Sequence, residues 1–102
     1  MSVKTTKSDD SQTLTITLNG YHFGLLDNAD FGKAYEDKLG SISHVVVDMA
    51  NVESIDSLAF SILLGLRGKA SANKADVTLL GCNAKLRELF TTVKFDTIFK
   101  IV

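Results

Sequence analysis

The chain has 102 residues, 45% of them hydrophobic, with eleven Lys and Arg against twelve Asp and Glu and a formal net charge of −1. That suffices for one domain around one core and is too apolar for a disordered chain. No basic excess exists to neutralise a phosphate backbone, so the composition argues against a nucleic-acid partner. A lone Cys82 excludes an internal disulfide and suits a reducing cytoplasm. Met1 to Lys7 has no apolar stretch behind it of the signal-peptide kind. The longest apolar run, Leu58 to Leu66, falls short of the ~20 residues that span a bilayer, so direct membrane insertion is not expected.

Residues 1–12 are polar and read as a frayed terminus or an edge strand. Thr13 to Leu18 alternates polar and apolar, which predicts a half-buried strand with Leu14, Ile16 and Leu18 on one face, closed by the turn pair Asn19-Gly20. Asn28 to Leu39 places Phe31, Ala34, Tyr35 and Leu39 at helical spacing, with Gly40 expected as the C-terminal cap. His44 to Met49 reads as a buried β-branched strand. Ser57 to about Ala70 is a helix apolar on most of its circumference, and so expected to be largely buried. Asp76 to Leu80 is a short strand ending at Gly81. Asn83 is placed to cap a helix whose Leu86, Leu89, Phe90 and Val93 recur as one apolar face. Ile98 to Val102 is a final strand.

Strands separated by helices predict an α/β domain, a mainly parallel sheet of four to five strands with helices packed on it, and a single domain over 1–102. Right-handed crossovers are expected between the strands 44–49, 76–80 and 98–102. Function in open α/β sheets gathers beyond the carboxyl ends of the strands. That places residues 50–57, 81–83 and the 20–28 loop at the functional edge.

Ile55-Asp56-Ser57-Leu58-Ala59-Phe60 is the stretch of greatest chemical interest. It puts an acidic residue and a serine at the start of the central helix, where unpaired N–H groups and the positive dipole end favour negative charge. Asp56 reads as an N-cap, and Ser57 either as an ordinary first-turn serine or as a place to put a phosphoryl group. Ser61 follows one helical turn later and reads either as a structural residue or as lining the same surface. Asp48, Ser54, Lys85 and Arg87 read as structural or solvated residues. His22 and His44 have no partner at metal-ligand spacing, and Cys82 has no activating basic neighbour. No nucleophile elbow and no glycine-rich phosphate loop is present, so neither an enzyme nor a cofactor is expected. A monomer is expected too, since the pattern shows no exposed apolar patch.

The order of elements and these motifs resemble the STAS domain, with the closer likeness to the bacterial anti-sigma factor antagonists, the SpoIIAA-like proteins. The likeness spans about Thr13 to Val102. It is carried by Val45-Val46-Val47-Asp48, Ile55-Asp56-Ser57, Leu79-Leu80-Gly81, and Leu86-Arg87-Glu88-Leu89-Phe90 followed by Phe95 and Ile98. In that family a segment like Asp-Ser-Ser-Gly opens the central helix. Its first serine is phosphorylated by a partner that is both serine kinase and anti-sigma factor, and a PP2C-type phosphatase resets it. The resemblance implies Ser57 as the phosphorylated residue, with Asp56, Leu58, Ser61 and Asp27 at the partner-binding surface. It implies a cytoplasmic protein that regulates transcription by partner switching, controlling a sigma factor or a related output such as biofilm formation. This chain departs from the pattern at Leu58, where the family has a second serine or threonine, and at Ala59, where it has glycine. Two other readings come with the same family: a cytoplasmic subunit of an ABC-type lipid transporter bound to its ATPase, and a nucleotide-sensing module. The intact Asp56-Ser57 pair favours the first.

Overall fold

In the computed structural model, which describes residues 1–102, a five-stranded sheet carries three helices. The strands are β1 (Ser2–Lys7), β2 (Thr13–Asn19), β4 (His44–Asp48), β6 (Asp76–Leu80) and β7 (Lys100–Ile101), side by side in that order. β1 runs antiparallel to β2 as an edge strand, and every other pairing is parallel. A separate two-residue parallel pair joins β3 (His22–Phe23) to β5 (Ser54–Ile55). The helices are α1 (Asn28–Tyr35), α2 (Ser57–Ala72) and α3 (Ala84–Thr92). This is a single α/β domain with a mixed, mainly parallel sheet, as the alternation of apolar patterns predicts.

The register explains which face is covered. Leu14 pairs with Val45 and Val45 with Val77; Ile16 pairs with Val47 and Val47 with Leu79. All of these are buried, while their neighbours Thr13, Thr15, Thr17, Val46 and Thr78 are only half-buried. Side chains alternate across a strand, so the helices cover one face of the sheet and leave the other to polar and β-branched residues. The 44–49 segment, expected to be buried throughout, is therefore buried only at alternate positions, with His44 exposed.

Four phenylalanines close one end of the core. Phe95 lies 5.4 Å from Phe60, 5.7 Å from Phe90 and 5.0 Å from Phe99, ring centre to ring centre. At the other end Phe23 meets Phe31 at 5.3 Å, which packs the 20–28 loop onto α1. Gly81 has φ +77°, a left-handed turn that ends β6, and a side chain there would also press on Ala50 at 3.1 Å.

Several sequence expectations are corrected. α1 stops at Tyr35 rather than Leu39, because the backbone tightens into turns that send Leu39 and Ile42 into the core; Gly40 is not a left-handed cap. α2 is not largely buried: Ala59, Ile62, Leu63, Leu66 and Ala70 face the sheet, while Ser57, Leu58, Ser61, Leu64, Gly65 and Gly68 are exposed. One helix on one sheet face can bury only one side, however apolar its other side is. In α3 only Leu86 and Phe90 are buried, whereas Leu89 and Val93 stay largely exposed. The last strand shrinks to Lys100–Ile101, since Phe95–Thr97 form a 3-10 turn that inserts Phe95 and Phe99.

Candidate functional site

The β3–β5 pairing builds the site. It draws the 20–28 loop against the segment leading into α2, and the backbone seals the junction: the N–H groups of Glu53 and Ser54 both donate to the Tyr21 carbonyl, at 2.7 and 3.0 Å. The Asp56 N–H donates to the Phe23 carbonyl at 3.3 Å. The loop and the start of α2 thus form one surface beyond the carboxyl ends of the central strands.

Asp56 joins the two halves. It is the N-cap of α2, in extended backbone, and its Oδ1 accepts the Leu58 N–H at 2.9 Å. Its Oδ2 accepts the Leu25 N–H across the junction at 3.0 Å. The Leu25 N–H is the main reason its carboxyl sits below the ordinary carboxylate range; partial desolvation works against this, and Leu58, His22 and the Ala59 N–H add to the lowering. So Asp56 is a cap, as expected, and also a clamp on the loop.

Asp27 lies at the site but is not a surface residue. It is only 4% exposed. Its Oδ2 accepts the Gly24 N–H at 2.9 Å, and its Oδ1 lies 3.4 Å from the α-ammonium of Met1. Its first role is to shape the turn that presents Leu25 and Leu26.

Ser57 is exposed on the first turn of α2, next to Leu58, and its hydroxyl makes no hydrogen bond within the protein. Leu58 is 42% exposed. With Leu25, Asn28, Ser61 and Ile62 it lines a shallow groove of about 220 Å³. The structure thus brings together Asp56, Ser57, Leu58 and Ser61, with Asp27 beneath the adjoining loop.

Sequence reasoning missed the apolar ridge beside them. Tyr21 is 71%, Leu25 60% and Leu26 91% exposed. The expectation of no exposed apolar patch is therefore overturned. The pair Leu25-Leu26 between a glycine and an aspartate was the available signal, but without the fold an apolar loop residue reads as core. Gly24 and His22 were missed as well. Gly24 is buried, and a side chain there would run into the Asp56 carboxylate.

His22 bridges Ser54 and Asp56: its Nδ1 lies 2.8 Å from Ser54 Oγ and its Nε2 3.5 Å from Asp56 Oδ2. The order is that of a serine–histidine–carboxylate relay, but the second contact is too long for a good hydrogen bond. The arrangement anchors the loop. His44 pairs with Asp76 at 2.8 Å, at the amino ends of their strands. No group of three or more His, Cys, Asp or Glu side chains is placed to hold a metal ion. Cys82 is buried against Met49, and burial pushes its thiol up to about 11. No helix is long and apolar enough to cross a membrane.

A small mixed sheet with helices on one face and a serine opening the central helix defines a class, and the comparisons agree: residues 4–102 match the STAS domain. The chain belongs to the STAS domain family. A STAS-domain containing protein of Pseudomonas aeruginosa (strain UCBPP-PA14) is 34% identical over 102 residues, covering 99% of both chains. Among solved structures, a putative anti-sigma factor antagonist from Thermotoga maritima superposes with a TM-score of 0.73 at 20% identity, over 97% of this chain and 84% of that one. The anti-sigma factor antagonist SpoIIAA in its unphosphorylated form gives 0.70 at 15% identity, over 99% and 87%. The phosphorylated form of SpoIIAA, described as a Bacillus cell fate determinant, gives 0.66 at 14% identity, over 99% and 91%.

Proposed function

We propose that this chain is a phospho-switched partner-binding protein, an anti-sigma factor antagonist in its mode of action. Unphosphorylated at Ser57, it binds an anti-sigma factor that is also a serine kinase, and so releases a sigma factor or a related regulatory output. A PP2C-type phosphatase restores the binding form. The observation that carries this reading is the unengaged Ser57 hydroxyl, exposed on the first turn of α2 and flanked by Leu58.

The physics gives the polarity. A phosphate adds about −1.5 to −2 charge and three acceptor oxygens. The helix N-terminus tolerates that charge, whereas Asp56 repels it and an apolar partner face against Leu58, Leu25 and Leu26 would have to desolvate it. Modification therefore blocks docking without unfolding the domain. The existence of SpoIIAA structures in both unphosphorylated and phosphorylated forms supports the analogy.

The experiment is intact mass of the protein from its native host, with and without phosphatase treatment, beside a Ser57→Ala variant. One phosphate on the wild type and none on the variant supports the switch. No phosphate under several growth conditions would sink it and leave a constitutive binding subunit, such as that of an ABC-type lipid transporter.

A further inference from the structure

Tyr21, Leu25 and Leu26 are the three most exposed large apolar side chains of the protein, and one loop carries all of them. They border a single open cleft, and Leu25 also lines, with Leu58, the groove of about 220 Å³ that runs to Ser61 and Ile62. The four side chains are therefore one continuous surface. The loop is not slack: the Leu25 N–H is bonded to Asp56, and the Tyr21 carbonyl accepts the amides of Glu53 and Ser54. The fold thus holds an apolar surface open to water, at a cost in free energy that an apolar partner surface would offset.

Charge decides what covers this surface. The two segments that build it, residues 19–32 and 48–66, hold the carboxylates of Asp27, Asp30, Asp48, Glu53 and Asp56 and no lysine or arginine. All eleven lysines and arginines lie outside them, although the whole chain has a net charge of only −1. Asp30 and Glu53 are exposed, and neither is ion-paired within the protein. Asp30 follows Leu26 by one helical turn, along the 3-10 turn that runs straight into α1, and Glu53 is tied to Tyr21 through the backbone. Negative charge therefore rims the apolar centre. That sign excludes three covers. A second copy docking through the same face would set carboxylates against carboxylates, and an anionic membrane surface or a nucleic acid is repelled in the same way.

We propose that this face docks a protein segment that is apolar at its centre and basic at its rim, with one large apolar side chain in the groove between Leu25 and Leu58. The proposal rests on the reading of this face as the docking surface beside Ser57, and it names the chemistry of the partner. The apolar centre supplies affinity, through side chains that leave water on both partners. The charged rim acts mainly on the rate of encounter and on the rejection of acidic partners. Cations at the rim meet Asp30 and Glu53. Ser57 instead adjoins Leu58, in the apolar centre, so a phosphate there would have to give up its water against apolar surface and still blocks docking.

The test is a titration of the full ¹⁵N-labelled chain with a capped model helix of about 14 residues, leucine on one face and lysine on the other, followed by amide chemical shifts. Two companion peptides keep the length: one has glutamate for every lysine, the other alanine for every leucine. Saturable shifts centred on Tyr21, Leu25, Leu26 and Leu58 are expected with the first peptide, and both companions should bind at least about tenfold more weakly. Raising the ionic strength from roughly 0.05 to 0.3 M should weaken the first peptide severalfold. Leu26→Ser, and Asp30→Asn combined with Glu53→Gln, should each weaken it severalfold; all three positions are exposed, so the urea midpoints should stay at the wild-type value. Glu36→Gln combined with Asp37→Asn, beyond the far end of α1, should leave binding unchanged. Equal binding of either companion, shifts centred elsewhere, no effect of the Leu26 or the Asp30 and Glu53 substitutions, or no saturable shift would each overturn the proposal. The titration involves neither phosphate nor kinase. Its failure leaves the Ser57 mass result standing, and an unphosphorylated Ser57 on a face that binds the basic peptide would remove the switch but keep the docking site.

Discussion

Gly24 and Asp56 occupy adjoining space so tightly that a Cβ on the first would displace the carboxylate of the second. The backbone at Gly24 is extended and open to any residue, so the glycine is required by room and not by dihedral angle. Its missing side chain is what lets one carboxylate bond both Leu25 and Leu58.

Gly24→Ala should therefore destabilise the domain by about 1–3 kcal/mol, the usual range for forcing a methyl into filled space. Urea unfolding of the variant against wild type measures it. A midpoint unchanged from wild type would mean that the carboxylate moves aside freely and does not clamp the loop.

Asp56 sets a pH dependence. Its carboxyl is held below its ordinary value by the Leu25 and Leu58 amides, so the folded state binds this proton less readily than the unfolded chain does. The stability it contributes is fully present above the unfolded value, near pH 4, and is lost as pH falls through the lower folded value. Asp10, lowered by the Ser8 hydroxyl and the Gln12 N–H, acts in the same sense. In melting temperatures recorded from neutral pH downward, Asp56→Asn should show a shallower decline below about pH 4 than wild type. Parallel acid limbs would assign that decline to Asp10 and other carboxylates.

α3 starts on Asn83, whose Oδ1 accepts the Leu86 N–H at 2.8 Å. Asn83→Ala should cost about 1 kcal/mol. Asn83→Asp should recover most of that, because a carboxylate caps equally well and suits the dipole. Thermal melts of the two variants separate loss of the cap from loss of packing.

Cys82 should be inert in the native protein. A thiol raised to about 11 and buried against Met49 carries little thiolate near neutral pH. Labelling by a disulfide reagent should be slow in buffer and fast in denaturant. Fast labelling of the native chain would mean that the 81–83 loop opens readily.

Most of the elements were legible in the sequence, because each rests on local pattern; the two-residue strands β3 and β5 were not, and residues 1–12 read equally as a frayed end or the edge strand that they form. The alternation of Leu14, Ile16 and Leu18 with threonines, the apolar recurrence in α2, and Asn83 ahead of Leu86 are short-range signals with one strong reading. The Asp56-Ser57 step was legible for the same reason: a cap and its neighbour declare themselves by position. Helix ends were less so. Tyr35 and Leu39 are both buried, but one ends a helix and the other enters the core from a turn, a difference that only packing sets.

What the tertiary structure alone decided is which residues face one another. Leu25 and Asp56 are 31 positions apart, and nothing local in either announces the bond between them. Nor does the sequence reveal that Leu25, Leu26 and Leu58 end outside the core, since an apolar side chain carries no mark of the face it will occupy. The sequence determined the strands, the helices and the serine at the helix start, because these follow from propensity and period. The fold decided the clamp, the ridge and the cleft, because pairing β3 with β5 brings a loop to a helix end, and that pairing is a property of the whole sheet.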